Sequence, residues 1–322
     1  MKSLLFLIFV LIPVTGLAIE IDQFTLPQKP LVDLGPLLTE KIVFELQKII
    51  TDSTVSRTTY LSPDYPAQRL HKAIGIGKPI STIEFWIMRD PVIPKGAKFR
   101  VPYGRSVFDG IVLPVPFVLL VEASTLNLFG FQIGSDKIGH IFQEGYEYKQ
   151  IHKKYLDLKS DTRTAFAKSV EMGVSQEHGI YGTALTGIYS NGDLAANYAG
   201  LKFYLNLTEE IQVAGLIIPP ILKMDKGLWV FNSNDTSHIL VPFFSDHLNE
   251  AFNPSRYKFQ RSLIRRAVQK RCDQWFKQDP NMTFEGEFRR IEELSTWYGE
   301  PYGWSMDFSK MVSVATECFK KK

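Results

Sequence analysis

The sequence predicts an α+β protein, mainly helical, with a short β-hairpin at its centre and further elements before and after. Three observations point there. The segment 130–210 is mostly helical in its apolar spacing. A glycine-rich stretch, 178–192, interrupts that pattern between two helical runs. Short strand-like runs lie outside this core, none long enough for a large sheet.

The chain has 322 residues, 37 Lys plus Arg and 34 Asp plus Glu, a formal charge of +3. With 45% hydrophobic and 22% charged residues it is not a disordered or low-complexity chain. Its interspersed, near-neutral charge argues against a nucleic-acid partner, which requires a basic stripe or domain. Residues 1–18 read as a secretory signal peptide: Lys2, an apolar run, then Gly16 and Ala18 at the exit. Cleavage after Ala18 leaves 304 residues, expected as one domain over 19–322. The apolar run is shorter than the ~20 residues of a spanning helix, so no stable membrane span is expected after cleavage. The alternative is an uncleaved anchor. Export implies a periplasmic or secreted location and permits one disulfide between Cys272 and Cys318, the only cysteines. Two buried thiols are the alternative. Neither cysteine lies near a metal-ligand cluster, and no metal or cofactor is implied.

Residues 21–38 read as irregular or short-stranded, and 39–50 as an amphipathic helix with Thr39 a possible cap. Residues 51–80 look like an extended loop region. The stretches 81–90 and 96–104 have strand-like composition. The most apolar mature segment, 111–121, contains Pro114 and Pro116 and reads as a buried, partly extended core piece. Membrane-surface insertion and a partner interface are the other readings. Helices are expected over 136–154 and 160–176, with Glu177 at the end of the second. Residues 178–192 then form a short hairpin or irregular turn, and Ser190 and Asp193 bracket the start of another helix. Later, 225–233 reads as loop or strand, 236–252 as helical after Pro242, and 259–276 as a helix with a basic outer face. Trp297, Tyr298, Tyr302 and Trp304 suggest a well-packed surface element or a sugar-contacting rim.

Glu177 is the carboxylate of greatest interest. A glutamate at the base of a rigid hairpin can approach a glycosidic oxygen. Burial beside Ile180, Tyr181 and Tyr189 would keep it protonated as a general acid. Glycosidase chemistry needs a second carboxylate or another group that activates water. Thr186, Ser190 and Asp193 could project towards it. A second set, Ser135, Asp136, Lys137, His140, Glu144 and Glu147, places 136, 140 and 144 on one helix face. It fits a buried polar network, the lining of a cleft or, less well, a metal site, since no HExxH pattern is present. Glu171 points away from Glu177 on a regular helix. Asp246, His247 and Glu250 read as a helix surface or hydrogen-bond network, not as part of a nucleophilic triad.

The run from Glu177 to Ser190, EHGIYGTALTGIYS, resembles the lysozyme-superfamily core, where a catalytic glutamate ends a helix and a hairpin follows. Thr186, Gly187 and Ile188 resemble the hairpin of phage-type lysozymes. The block 135–203, with SDKIGH and GDLAANYAG, is similar to the exported deacetylation-specific lysozymes of predatory bacteria. That resemblance covers about a fifth of the chain. It implies a modified lysozyme fold with a core at about 130–210, two catalytic glutamates, and hydrolysis of peptidoglycan whose amino sugars are deacetylated. Residues 178–191 hold no carboxylate, so a second hairpin glutamate is missing. Either Glu144 or Asp193 takes that place, supported by His140, Ser190, Thr186 and Tyr181, or part of the activity is lost.

Two functions therefore compete. One is an exported glycoside hydrolase acting on peptidoglycan or another deacetylated β-1,4 amino-sugar polymer. The other is a non-catalytic envelope protein that binds cell wall or membrane-associated partners, with its carboxylates paired in closed networks. A lipase or esterase lacks any serine elbow here.

Overall fold

A computed structural model describes residues 21–77, 80–109, 123–179, 183, 187–258, 260–305 and 307–319. The expected signal peptide, the apolar run 111–121, Tyr181 and Thr186 lie outside the described residues. The architecture is mixed α+β, mainly helical, with small antiparallel sheets.

Helix α1 (Gly35–Ile50) buries Leu38, Ile42, Leu46 and Ile49 along one stripe. It starts ahead of Thr39, which is therefore no cap; its hydroxyl donates back to Gly35 O at 2.9 Å. Residues 51–80 are not an extended loop. They carry α2 (Arg57–Tyr60), α3 (Tyr65–Leu70) and a π-helical turn, His71–Gly75. Residues 81–90 are not a strand but helix α4 (Thr82–Arg89). Ser81 caps it by accepting from Glu84 N, and Ile83 and Ile87, one turn apart, are both buried. The β-branched and aromatic composition misled where the cap and the i, i+4 spacing decide.

Of 96–104 only β1 (Lys98–Phe99) is strand. It pairs with β2 (Thr125–Leu128), which pairs with β3 (Phe131–Gly134). Phe129 and Gly130 turn the β2–β3 hairpin with positive φ at both positions, 55° and 89°, as the twist of a two-residue hairpin requires.

Helix α5 (Ser135–Gly139), a π-helical turn (His140–Glu144) and α6 (Gly145–Asp157) follow without a break. A π turn leaves a carbonyl outside the regular ladder. Here Phe142 O accepts from Tyr204 Oη at 2.7 Å. Helix α7 (Thr162–His178), capped by Asp161, carries Glu177 in its last turn. After β4 (Ile188–Tyr189), Ser190 caps α8 (Asn191–Asn206) by accepting from Asp193 N. All 16 residues of α8 are buried, so α8 is the central helix, with packing on every side. The rod containing α5 and α6 crosses it at Gly145 and Gly200. A Cβ on Gly200 would fall 2.2 Å from Ile141 O, so this approach needs glycine.

Two hairpins come next: β5 (Ile211–Val213) with β6 (Leu216–Ile218), and β7 (Leu222–Asp225) with β8 (Leu228–Phe231). Residues 236–252 are not a long helix. They hold two 3-10 turns, Val241–Phe243 and Asp246–Leu248, separated by an extended Ser245 with φ −165°. Strand β9 (Ser255–Tyr257) leads to α9 (Arg261–Gln269) and α10 (Cys272–Gln278), which divide the helix expected at 259–276. Helix α11 (Phe284–Leu294), β10 (Met311–Val312) and α12 (Val314–Cys318) complete the chain. The expected hairpin within 178–192 is not found among its described residues; β4 pairs instead with β9, which pairs with β10.

The main core surrounds α8 and draws in α1, α3 and the π turns. A second cluster joins Phe24 and Leu26 to α9, α10 and the C-terminal end. A disulfide links Cys272 on α10 to Cys318 on α12. Trp297 and Tyr302 are buried, so this aromatic group serves packing; Tyr298 alone of the four is well exposed. Among the described residues, no helix is long and apolar enough to cross a membrane.

Candidate active site

The site is built around a lysine that sequence reasoning named but did not place at the centre. Lys137, on α5, is fully buried. Its ammonium lies 2.6 Å from Asp136 Oδ2, 2.5 Å from Asp193 Oδ1 and 2.6 Å from Glu250 Oε1. These acids come from α5, from the first turn of α8 and from the loop after Leu248. The ammonium thus ties three distant segments together. Ser190 reinforces the knot: its Oγ caps α8 and donates to Glu250 Oε1 at 2.8 Å.

One ammonium cannot balance three buried carboxylates. The charges settle unequally. Burial alone would raise Asp193, but His140 and Lys137 outweigh it and hold its carboxyl below the ordinary value. Burial pushes Asp136 and Glu250 up despite Lys137. Glu250 Oε2 is buried with no hydrogen-bond partner among the described residues.

His140 stands between this knot and solvent. Nδ1 donates to Asn197 Oδ1 at 2.9 Å, and Nε2 lies 3.5 Å from Asp193 Oδ1. Burial opposes its charge, yet Asp193 and Glu144 prevail and hold its pKa at about 9. Glu144 ends the π turn, its carboxylate 3.9 Å from His140 Nδ1 and its side chain 27% exposed. Burial, partly offset by His140, pushes it up to about 7.

Glu177 differs from the other acids. It is only 5% exposed. Its Oε2 accepts one hydrogen bond, from Ser190 N at 3.1 Å, and among the described residues no Lys or Arg pairs with it. Burial first, then the negative charge of Asp193, raise its pKa to about 8. Glu177 is therefore a neutral carboxylic acid at pH 7, as a general acid must be.

The structure brings together Glu177, Asp193, His140, Ser190 and Glu144, and adds Lys137, Glu250 and Glu84. Glu84 lies on α4; burial and Asp136 raise its pKa to about 8. Ser81 and Glu84 mark a helix start but nothing local ties Glu84 to this site, and Glu250 reads as a surface or network residue until residue 250 is seen beside residue 137. Glu171 pairs with exposed Lys168 at 2.6 Å and stays outside, as its helical spacing predicts. Ser245 Oγ and His247 Nδ1 do meet, at 2.9 Å, but His247 Nε2 faces Thr296 O rather than a carboxylate. That arrangement lacks the third member of a triad. Asp136, His140 and Asp193 hold donor atoms within 4.8 Å of one another, a spacing that suits a metal ion. Two of those three already hold the Lys137 ammonium, which a divalent ion would have to displace.

No protein-family model, curated protein or solved structure matches the chain.

Proposed function

We propose that the chain is a glycoside hydrolase acting on β-1,4-linked amino-sugar polymer, peptidoglycan above all. The observation that carries this reading is Glu177: a buried carboxyl at the end of a helix, with a pKa of about 8 and no Lys or Arg paired with it among the described residues. In the reaction Glu177 gives its proton to the glycosidic oxygen as the bond from that oxygen to the sugar carbon breaks. Glu144 takes a proton from the water whose oxygen bonds to the carbon, and solvent returns the proton balance. Glu144 is the better second carboxylate because its side chain is part exposed and held only loosely by His140. The Asp193 carboxylate is committed to Lys137, which makes it a positioning residue.

In this reading a preference for deacetylated polymer rests on Glu144, the part-exposed carboxyl of the site, which would meet a free amine on the sugar once ionised. In this reading the mature chain works in the periplasm or outside the cell, where the wall lies.

The knot around Lys137 also fits an envelope protein that binds without catalysis, since closed carboxylate networks are what that reading requires. It gives no reason for Glu177 to lack a Lys or Arg partner among the described residues. Reducing-end release from acetylated and deacetylated wall material separates the two. The enzyme reading expects release by the mature protein and its loss in both Glu177→Gln and Glu144→Gln. Wall binding without release by the wild type would favour the envelope protein.

A further inference from the structure

A basic cavity lies beside the C-terminal end of α7, where Thr183 N donates to Glu177 O at 2.8 Å. This cavity, of about 640 Å³, is lined by Arg256, Lys258, Arg261, Arg265, Lys310 and Thr183, and none of its lining residues among those described is acidic. Arg261 and Arg265 sit one turn apart on α9. Both guanidinium groups donate to the same carbonyl, Ser309 O, at 3.1 and 3.3 Å, which fixes their planes relative to one another. Arg265 is also braced from beneath by Glu317, at 3.0 Å. Each guanidinium carries five donors, so these bonds leave several N–H groups for a ligand. Lys310 is held by Asp307 at 2.7 Å, at the edge of the group. On the other side, Arg256 Nη2 lies 3.3 Å from His178 Nδ1, and His178 adjoins Glu177 in the chain.

We infer that this cavity is an oxyanion subsite that binds an anionic group, carboxylate or phosphate, carried by the polymer cleaved at Glu177. Planar guanidinium forks match both oxyacids in two-point contact. The identity of the polymer rests on the hydrolase reading; the oxyanion chemistry of the cavity does not. The polymer would thus meet Glu177 and Glu144 with its sugars and the basic cavity with the acids attached to the same chain. A carboxylate would come from a peptide branch and a phosphate from the glycan itself.

The test uses the purified, disulfide-bonded mature protein and two probes, inorganic phosphate and the dipeptide N-acetyl-Ala-Glu, followed by calorimetry. At least one probe is expected to bind. Arg261→Gln combined with Lys310→Gln should weaken it by about tenfold or more. Arg265 is left intact because it braces Glu317. Lys310→Gln alone, at a 54% exposed side chain, provides a variant whose folding is safe and whose binding should fall by a smaller factor. Stronger binding of the dipeptide assigns the source to peptide branches, and stronger binding of phosphate assigns it to the glycan. Glu177→Gln should bind both probes as the wild type does. Absence of binding by either probe, or equal binding by wild type and double variant, overturns the subsite. Probe binding by a wild-type protein that releases no reducing ends overturns the hydrolase reading and leaves the subsite standing.

Discussion

Replacing Lys137 by methionine keeps most of the side-chain volume and removes the charge that three acids share. All three contacts are 2.6 Å or shorter, and no partner side chain is more than 10% exposed. Breaking a buried ion pair by deleting one partner costs about 3–5 kcal/mol, because the other charge stays behind unpaired. That is a large part of the ~5–15 kcal/mol that holds a typical domain folded. The pH dependence has a definite sign. Without Lys137 the carboxyls of Asp136 and Glu250, already raised by burial, hold their protons more tightly still in the folded protein than in the unfolded chain. The folded variant then binds more protons than the unfolded one above about pH 4, so its stability falls as pH rises. The loss relative to wild type should be about 3–5 kcal/mol at pH 7.5 and distinctly smaller at pH 5, with each extra proton bound worth about 1.4 kcal/mol per pH unit. Urea unfolding of both proteins at the two pH values measures this. A loss below about 1 kcal/mol at pH 7.5, or one that does not shrink at pH 5, would refute the knot as the site's organising element.

Glu177→Gln should unfold at higher urea than wild type near pH 8, by on the order of a few kcal/mol, with the gap closing towards pH 4.5. The sign follows from a folded pKa raised to about 8: the native state holds a proton that the unfolded chain releases between pH 4.5 and 8. The same group should give the pH profile of glycan cleavage an alkaline limb near pH 8, and its removal should cost about 10²–10⁴ in rate. Gly200→Ala forces a Cβ against Ile141 O and should cost about 1–3 kcal/mol or more, read as a drop in melting temperature. Reducing the Cys272–Cys318 bond opens a loop spanning 46 positions, and chain entropy assigns that about 4 kcal/mol, measurable by unfolding with and without reductant.

The helices around Glu177 were legible because their signals are local. Ser190 marks the start of α8, and Glu177 falls in the last turn of α7, close to where the spacing puts it. The pairing of Cys272 with Cys318 followed from there being no other cysteine. What the sequence concealed was mostly long-range. Glu250 meets Lys137 across 113 residues, and no periodicity announces such a pairing. Glu84 lay hidden in a run whose Ile, Phe and Trp suggest a strand, although Ser81 and Glu84 spell a helix start. The π turn was illegible for another reason. It lies where Gly145 meets Gly200 and Tyr204 bonds the Phe142 carbonyl, contacts made across to α8 and not written in the turn's own sequence. Residues 178–192 look self-contained because of their glycines, yet β4 finds its partner about seventy residues away in β9.

The central claim is that Glu177 is kept neutral at physiological pH by burial and by the charge of Asp193. Carbon-13 labelling of glutamate carboxyls, with Glu177→Gln to assign the signal, reads that protonation state directly by NMR titration of the folded protein. The account predicts a Glu177 carboxyl that stays protonated through pH 7 and titrates at about 8. A midpoint near the ordinary 4.5 would contradict it.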